Sequence, residues 1–242
     1  MNNTYVKLSF TFKHRNDWTR QLKGIKAFIT SVRWVRLIDD NANLEVVLAR
    51  WLDRSIDIYG FFDKMVKLGK IYEVLSIREL YKNIFLIAFI GPYLNTVRYG
   101  IVNNNVIFYD SLIHDGVQEW TMVVSGNYQG LLRYLNNIGR VNALNEEPIG
   151  SRSLVEMLLK NGDVGKYVNL ALTMGELSAL TDVWRNGYFK ISDKVKLNNL
   201  SKIVGKDKST LSRQIRSALS KLIPIVYIDL YDMVKHKKLD EV

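Results

Sequence analysis

Between residues 183 and 223 ten side chains are Lys or Arg, at 185, 190, 194, 196, 202, 206, 208, 213, 216 and 221. Two, Asp193 and Asp207, are acidic, which leaves a local excess of eight positive charges out of a formal +10 for the 242-residue chain. A solvated helix face ordinarily mixes both signs, and a face of one sign is an electrostatic footprint for a polyanion. Guanidinium groups can take guanine O6 and N7 as a pair, lysines more often meet phosphates, and hydroxyls can reach either. The residues of the right type are Lys202, Lys206, Lys208, Ser209, Thr210, Ser212, Arg213 and Arg216.

Their spacing predicts how they are held. At about 100° per residue, Leu211, Ile215, Ala218, Leu219 and Leu222 share one stripe. Ser209, Arg213, Arg216 and Ser220 fall opposite it, with Ser212 on the flank. Upstream, "LNNLSKIVG" (197–205) reads as a short helix, Gly205-Lys206-Asp207 as a turn, and Asp207 as the cap of the basic helix. Thr173 and Glu176 have capping-box spacing, and their helix runs through Leu177, Leu180 and Trp184 to Asn186-Gly187. "YFKISDKVK" (188–196) reads as a wing or connecting loop. A short helix, a tight turn and a basic helix predict a helix-turn-helix, with double-stranded DNA as the expected partner. Arg213 and Arg216 are expected at bases or phosphates, and Lys202, Lys206 and Lys208 at phosphates. Trp184, Tyr188 and Phe189 are read as core anchors rather than base-stacking groups.

The stretch "LTMGELSALTDVWRNGYFKISDKVKLNNLSKIVGKDKSTLSRQIRSALSKLI" (172–223) resembles the bacterio-opsin-activator-type helix-turn-helix domain of archaeal regulators. The shared features run in order: "LT…L..AL…W..GYF", then "L..L…VG..KSTLS..IR.A..KL". The resemblance covers about a fifth of the chain and implies transcription regulation, with Lys208 to Arg216 as the recognition segment. The chain departs from the pattern at Asp207, where such motifs often carry Ser. "EWTMVVSGNYQGLLRYLNNIGRVNAL" (119–144) is similar, more weakly, to a module that accompanies this domain in some regulators.

Other chemistry is poorly supported. The chain has no cysteine and only three histidines, His14, His114 and His236, without ligand spacing, so neither a disulfide framework nor a metal site is expected. "GKDKST" lacks the strand and glycine spacing of a phosphate loop. His114 beside Asp110 and Asp115 reads as a hairpin tip. No nucleophile–base–acid set can be assembled, and the expectation is a protein that is not an enzyme and carries no cofactor. No signal peptide is recognisable in "MNNTYVKLSF", and the most apolar run, "NIFLIAFIG", falls short of a membrane helix. A cytoplasmic, DNA-associated protein without a membrane partner is the expectation.

The elements that must carry this segment have a different grammar. "YVKLSFTF" alternates as a strand, and Trp18, Leu22, Ile25 and Ile29 have helical spacing. "VRWVRLI", "NLEVVLAR", a helix from Ile56 to Val66 and "KIYEVLSI" complete a βαββαβ order. The order recurs with "YKNIFLIAFI", "PYLNTVRYG", "NVIFYDSLI", "VQEWTMVV", a helix from Tyr128 to Ile138 and "RVNALNEE". The expected fold is α+β: a duplicated βαββαβ (ferredoxin-like) N-terminal half, 1–148, built of units 1–79 and 80–148. Residues 149–171 form a linker with a connecting helix, "EEPIGSRS" being the strongest linker signal. An all-helical helix-turn-helix domain spans 172–223, and an amphipathic extension spans 224–242. The extension needs a partner surface, either the chain's own N-terminal domain or a second copy, and because helix-turn-helix proteins commonly pair on half-sites a homodimer is expected. The leading expectation is a sequence-specific transcription regulator whose N-terminal half senses a small-molecule effector or mediates assembly. The competing one is an architectural or non-specific DNA-binding protein whose N-terminal half is only an oligomerisation scaffold.

Overall fold

A computed structural model describes residues 5–37, 41–160, 163–190 and 195–239, with the backbone alone at 159–160, 163–164 and 225–239. The chain divides into two compact units, Met1–Tyr167 and Val168–Val242. The first holds eight strands: β1 Tyr5–His14, β2 Ala27–Leu37, β3 Ala42–Trp51, β4 Glu73–Tyr81, β5 Ile84–Pro92, β6 Val106–His114, β7 Val117–Ser125 and β8 Gly139–Ile149. Helices α1 (Ile58–Lys67), α2 (Val97–Val102) and α3 (Gln129–Ile138) lie between them. Helices α4 (Ser151–Lys160) and α5 (Asp163–Ala171) follow.

All eight strands join one antiparallel sheet in the order β4-β5-β3-β2-β6-β7-β1-β8. β1 pairs with β7 and β8, and β5 pairs with β3 and β4. β1 is therefore inserted among the later strands, and β5 among the earlier ones. The join is short: β2 meets β6 through Phe28↔His114, Ile29↔Ile113 and Thr30↔Leu112. Cross-strand partners share a face, so the register through Ile29, Ile113, Ser111, Trp120 and Phe10 places two apolar clusters on one side of the sheet. One gathers Ile29, Val47, Ile87 and Phe89 under Phe61, Phe62 and Met65 of α1. The other gathers Leu8, Phe10, Trp120 and Met122 under Val97 and Ile101 of α2 and Leu131 and Leu135 of α3.

Two local expectations are corrected. The helix predicted from Trp18 toward Ile29 is a five-residue 3-10 helix, Trp18–Leu22, capped by Asp17. Gly24 then turns the chain at φ +79°, and Ile29 belongs to β2. The linker predicted at 146–153 is instead β8 running to Ile149, then Gly150, then α4. Tyr5↔Ile149 and Val6↔Pro148 pair there, and Lys7 Nζ lies 2.9 Å from Glu147. Pro148 is tolerated because β8 is an edge strand. At the hairpin tip, Asp115 adopts φ +47° and accepts the Gly24 N–H at 2.7 Å, and His114 Nε2 lies 2.8 Å from Glu119 Oε1. The helix end read at Asn161-Gly162 lies outside the described residues.

β8 begins where it crosses an aromatic ring. A Cβ on Gly139 would lie 2.3 Å from the Phe12 ring and 2.6 Å from the Lys13 carbonyl oxygen. Phe12 is fully buried and cannot retreat. Gly139→Ala should lower stability by about 1–3 kcal/mol, the usual cost of overpacking, in urea denaturation. An unchanged midpoint would contradict this close approach.

Candidate nucleic-acid interface

The second unit carries α6 (Met174–Arg185), α7 (Leu197–Ile203) and α8 (Lys208–Leu239). Its core is small: Ala179 and Val183 of α6, Leu200 of α7, and Leu211 and Ile215 of α8, flanked by Leu180, Tyr188, Val204 and Leu219. The turn between α7 and α8 follows directly from its residues. Gly205 takes φ +64°, a conformation that favours glycine. The Lys206 N–H donates back to the Ser201 carbonyl at 3.1 Å, closing the end of α7. Asp207 then starts α8, accepting the backbone N–H groups of Ser209 at 2.8 Å and Thr210 at 3.1 Å. The Ser209 hydroxyl first, and the Thr210 N–H next, hold the Asp207 carboxyl below its ordinary range, so it stays charged at the positive end of the helix. The departure from the pattern at Asp207 is thus a working cap.

α8 presents the two faces its spacing predicts. Leu211, Ile215 and Ala218 are buried, while Lys208, Ser209, Arg213, Arg216 and Ser220 are exposed and Thr210 and Ser212 half-buried. Lys202 is exposed at the last turn of α7. Lys206 is turned inward: its Nζ donates to Ser178 Oγ at 2.9 Å and to Asp182 Oδ2 at 2.8 Å. The Ser209 hydroxyl is spent on Asp207 as a donor and remains an acceptor. The loop residues 191–194, with Lys194, and the side-chain stripe of the 224–242 extension lie outside the described residues. The backbone of α8 nevertheless continues through Pro224 to Leu239, so the extension begins as part of the same helix.

Sequence reasoning missed what fixes α8 against α6. Lys221, counted among the outward cations, is nearly buried, and its Nζ donates to both Glu176 oxygens at 2.8 and 2.7 Å. The Ser217 hydroxyl donates to Glu176 Oε1 at 2.6 Å. The same carboxylate closes the capping box by accepting the Thr173 N–H at 2.8 Å, while the Glu176 N–H donates to Thr173 Oγ1. Burial pushes the Glu176 carboxyl up, but the hydrogen bonds from Lys221, Ser217 and the Thr173 N–H outweigh it and hold it at about 2. The only sequence signal was the capping box, which explains Glu176 locally and says nothing of Lys221. The aromatic reading also needs correction: Tyr188 joins the core, but Trp184 is 74% and Phe189 44% exposed. The core of this unit is too small to cover them.

Residues 172–224 match the family model described as an HTH DNA binding domain. The C-terminal segment is a bacterio-opsin-activator-type helix-turn-helix domain. No curated protein matches the chain. The match supports a DNA-binding transcription regulator. No helix among the described residues is long and apolar enough to cross a membrane.

Removing one partner of a buried ion pair strands the other, so Glu176→Ala should cost about 3–5 kcal/mol, with Glu176→Leu/Lys221→Met recovering part of the loss. Because the folded-state value of about 2 lies below the ordinary 4.5, this stabilisation is complete above about pH 4.5 and drains away as pH falls toward 2. Denaturant titrations across that range should show the wild type losing stability more steeply than the double variant. Parallel curves would contradict the pairing.

Proposed function

We propose that the protein regulates transcription by sequence-specific binding, with α8 lying in the major groove of double-stranded DNA. The observation that carries this reading is the outer face of α8, where Arg213 and Arg216 stand exposed three residues apart, with no ion pair to either among the described residues. Residues three apart are neighbours on a helix surface, and the major groove admits one helix. The two guanidinium groups are assigned to base edges. Lys202 and Lys208 are assigned to phosphates, and Thr210, Ser212 and the acceptor side of Ser209 to flanking contacts. Lys206 can reach a phosphate only by leaving Asp182, so it ranks below the other two lysines.

The N-terminal unit is read as a duplicated βαββαβ whose halves exchange their first strands. Both sheet halves support this. In β4-β5-β3-β2 and β8-β1-β7-β6 the strands follow the 4-1-3-2 order of a ferredoxin-like unit, with β5 and β1 each standing in the other's place. Such a unit is assigned the sensing of a small effector. The protein is assigned as a homodimer, matching paired half-sites about one helical turn apart; light scattering at micromolar concentration should return twice the chain mass, and a monomeric mass would contradict the dimer.

Arg213→Ala and Arg216→Ala should each weaken binding to the target duplex by about 1–3 kcal/mol and relax its sequence preference, whereas Lys202→Ala should weaken all duplexes alike and reduce the salt slope by about one ion. Unchanged affinity in both arginine variants would overturn the assignment of the helix.

A further inference from the structure

Where β2 and β6 part beyond Thr30 and Leu112, the helix-covered face of the sheet holds a cavity of about 60 Å³ between the two apolar clusters. Its walls include Trp18, Phe89, Ile113 and Trp120, and three of its polar lining residues are incompletely bonded. Arg98 is only 5% exposed, sits within 5.6 Å of the ring centres of Trp34, Tyr109 and Trp120, and gives Nη2 to Glu45 at 3.3 Å. Its Nη1 has no hydrogen-bond partner. Asn43, 1% exposed, donates to Glu45 Oε1 and the Pro92 carbonyl, yet its Oδ1 is unpartnered. Ser111, 4% exposed, has an unpartnered Oγ. By contrast the neighbouring Gln118 is fully used, giving Nε2 to Asp17 and Thr19 and accepting from Trp120.

Buried polar groups are expensive to leave unpaired, and three around one cavity mark a place where something else supplies the bonds. We infer that the cavity binds a small, neutral, hydroxyl-rich molecule of the short-chain polyol class, through Arg98, Asn43 and Ser111. The inference rests on the reading of the N-terminal unit as a sensor. The unmet groups are one donor, one acceptor and one hydroxyl, and a ligand hydroxyl can donate and accept at once. The charged lining residues Asp17, Glu45, Lys70 and Arg98 balance, so an ionic ligand would bring an uncompensated charge into a buried site. Trp18 and Trp120 offer apolar walls to the carbon skeleton. The volume corresponds to roughly four to six water-sized groups, the scale of a two- or three-carbon polyol such as glycerol, which has about six heavy atoms.

Ser111 provides a clean test, because its hydroxyl has no bond to lose and valine suits a strand. The full chain and Ser111→Val are melted with increasing glycerol, propylene glycol or ethylene glycol, and with lactate or glycolate as anions of matched size. The expected result is a saturable rise in melting temperature with at least one polyol, none with the acids, and at least about tenfold weaker binding in Ser111→Val, which itself melts no lower than wild type. No saturable shift, an equal shift in both proteins, or a response to the acids alone would overturn the inference. Binding of the target duplex is measured on the same samples: duplex binding without a polyol response removes the cavity assignment and leaves the regulator, whereas a polyol response without duplex binding does the reverse.

Discussion

A single buried carboxylate sets the geometry on which the basic outer face of α8 depends. Glu176 is 6% exposed, and burial alone would drive it to pick up a proton. It remains an anion because Lys221, Ser217 and the Thr173 N–H converge on it. Those donors come from the N-cap of α6 and from Ser217 and Lys221 of α8, on the turn that follows Arg216, so satisfying the charge fixes how α8 crosses α6. The apolar contacts of Ala179, Val183, Leu200, Leu211 and Ile215 supply cohesion, but apolar packing is non-directional. The ion pair adds direction, and the outward aim of Arg213 and Arg216 follows from it.

The N-terminal unit solves a related problem with cations. Its two apolar clusters lie on one sheet face, but the strands joining the halves pair at only three positions. Where they diverge, Arg98 of α2 lines the gap, packed against Trp34, Tyr109 and Trp120. Lys166 of α5 reaches the Ser31 carbonyl at 2.9 Å and stands 3.5 Å from Asp110. Two long side chains with apolar stems and charged ends suit a gap that is neither wholly dry nor open. β1 lies between β7 and β8, and β5 between β3 and β4, so each end of the sheet is completed by a strand from elsewhere in the sequence.

What the sequence disclosed follows the range of the forces involved. The strands with clean alternation, the capping box at Thr173 and Glu176, the glycine turn at Gly205 and the Asp207 cap are local devices, and each stands where its residues place it. The placement of β1 between β7 and β8, and of β5 between β3 and β4, was not legible, because alternation shows which face is buried and not which strand lies alongside. Trp18, Leu22, Ile25 and Ile29 matched a helical period by coincidence across a turn at Gly24. Lys221 and Lys206 were legible as charges but not as internal partners, since Glu176 and Asp182 lie 45 and 24 residues away in sequence. The match at 172–224 was visible in advance because that segment is made almost entirely of local signals.

The central claim is that α8 reads a DNA sequence rather than only a polyanion. Anisotropy titration of a fluorescent duplex from the region upstream of the protein's own gene, against a scrambled duplex of equal length and across a salt series, tests it most directly. Sequence reading by α8 requires a preference of ~10³ or more for the upstream duplex at physiological salt. Equal, steeply salt-dependent affinity for both would contradict it, because phosphate attraction alone would then explain the binding.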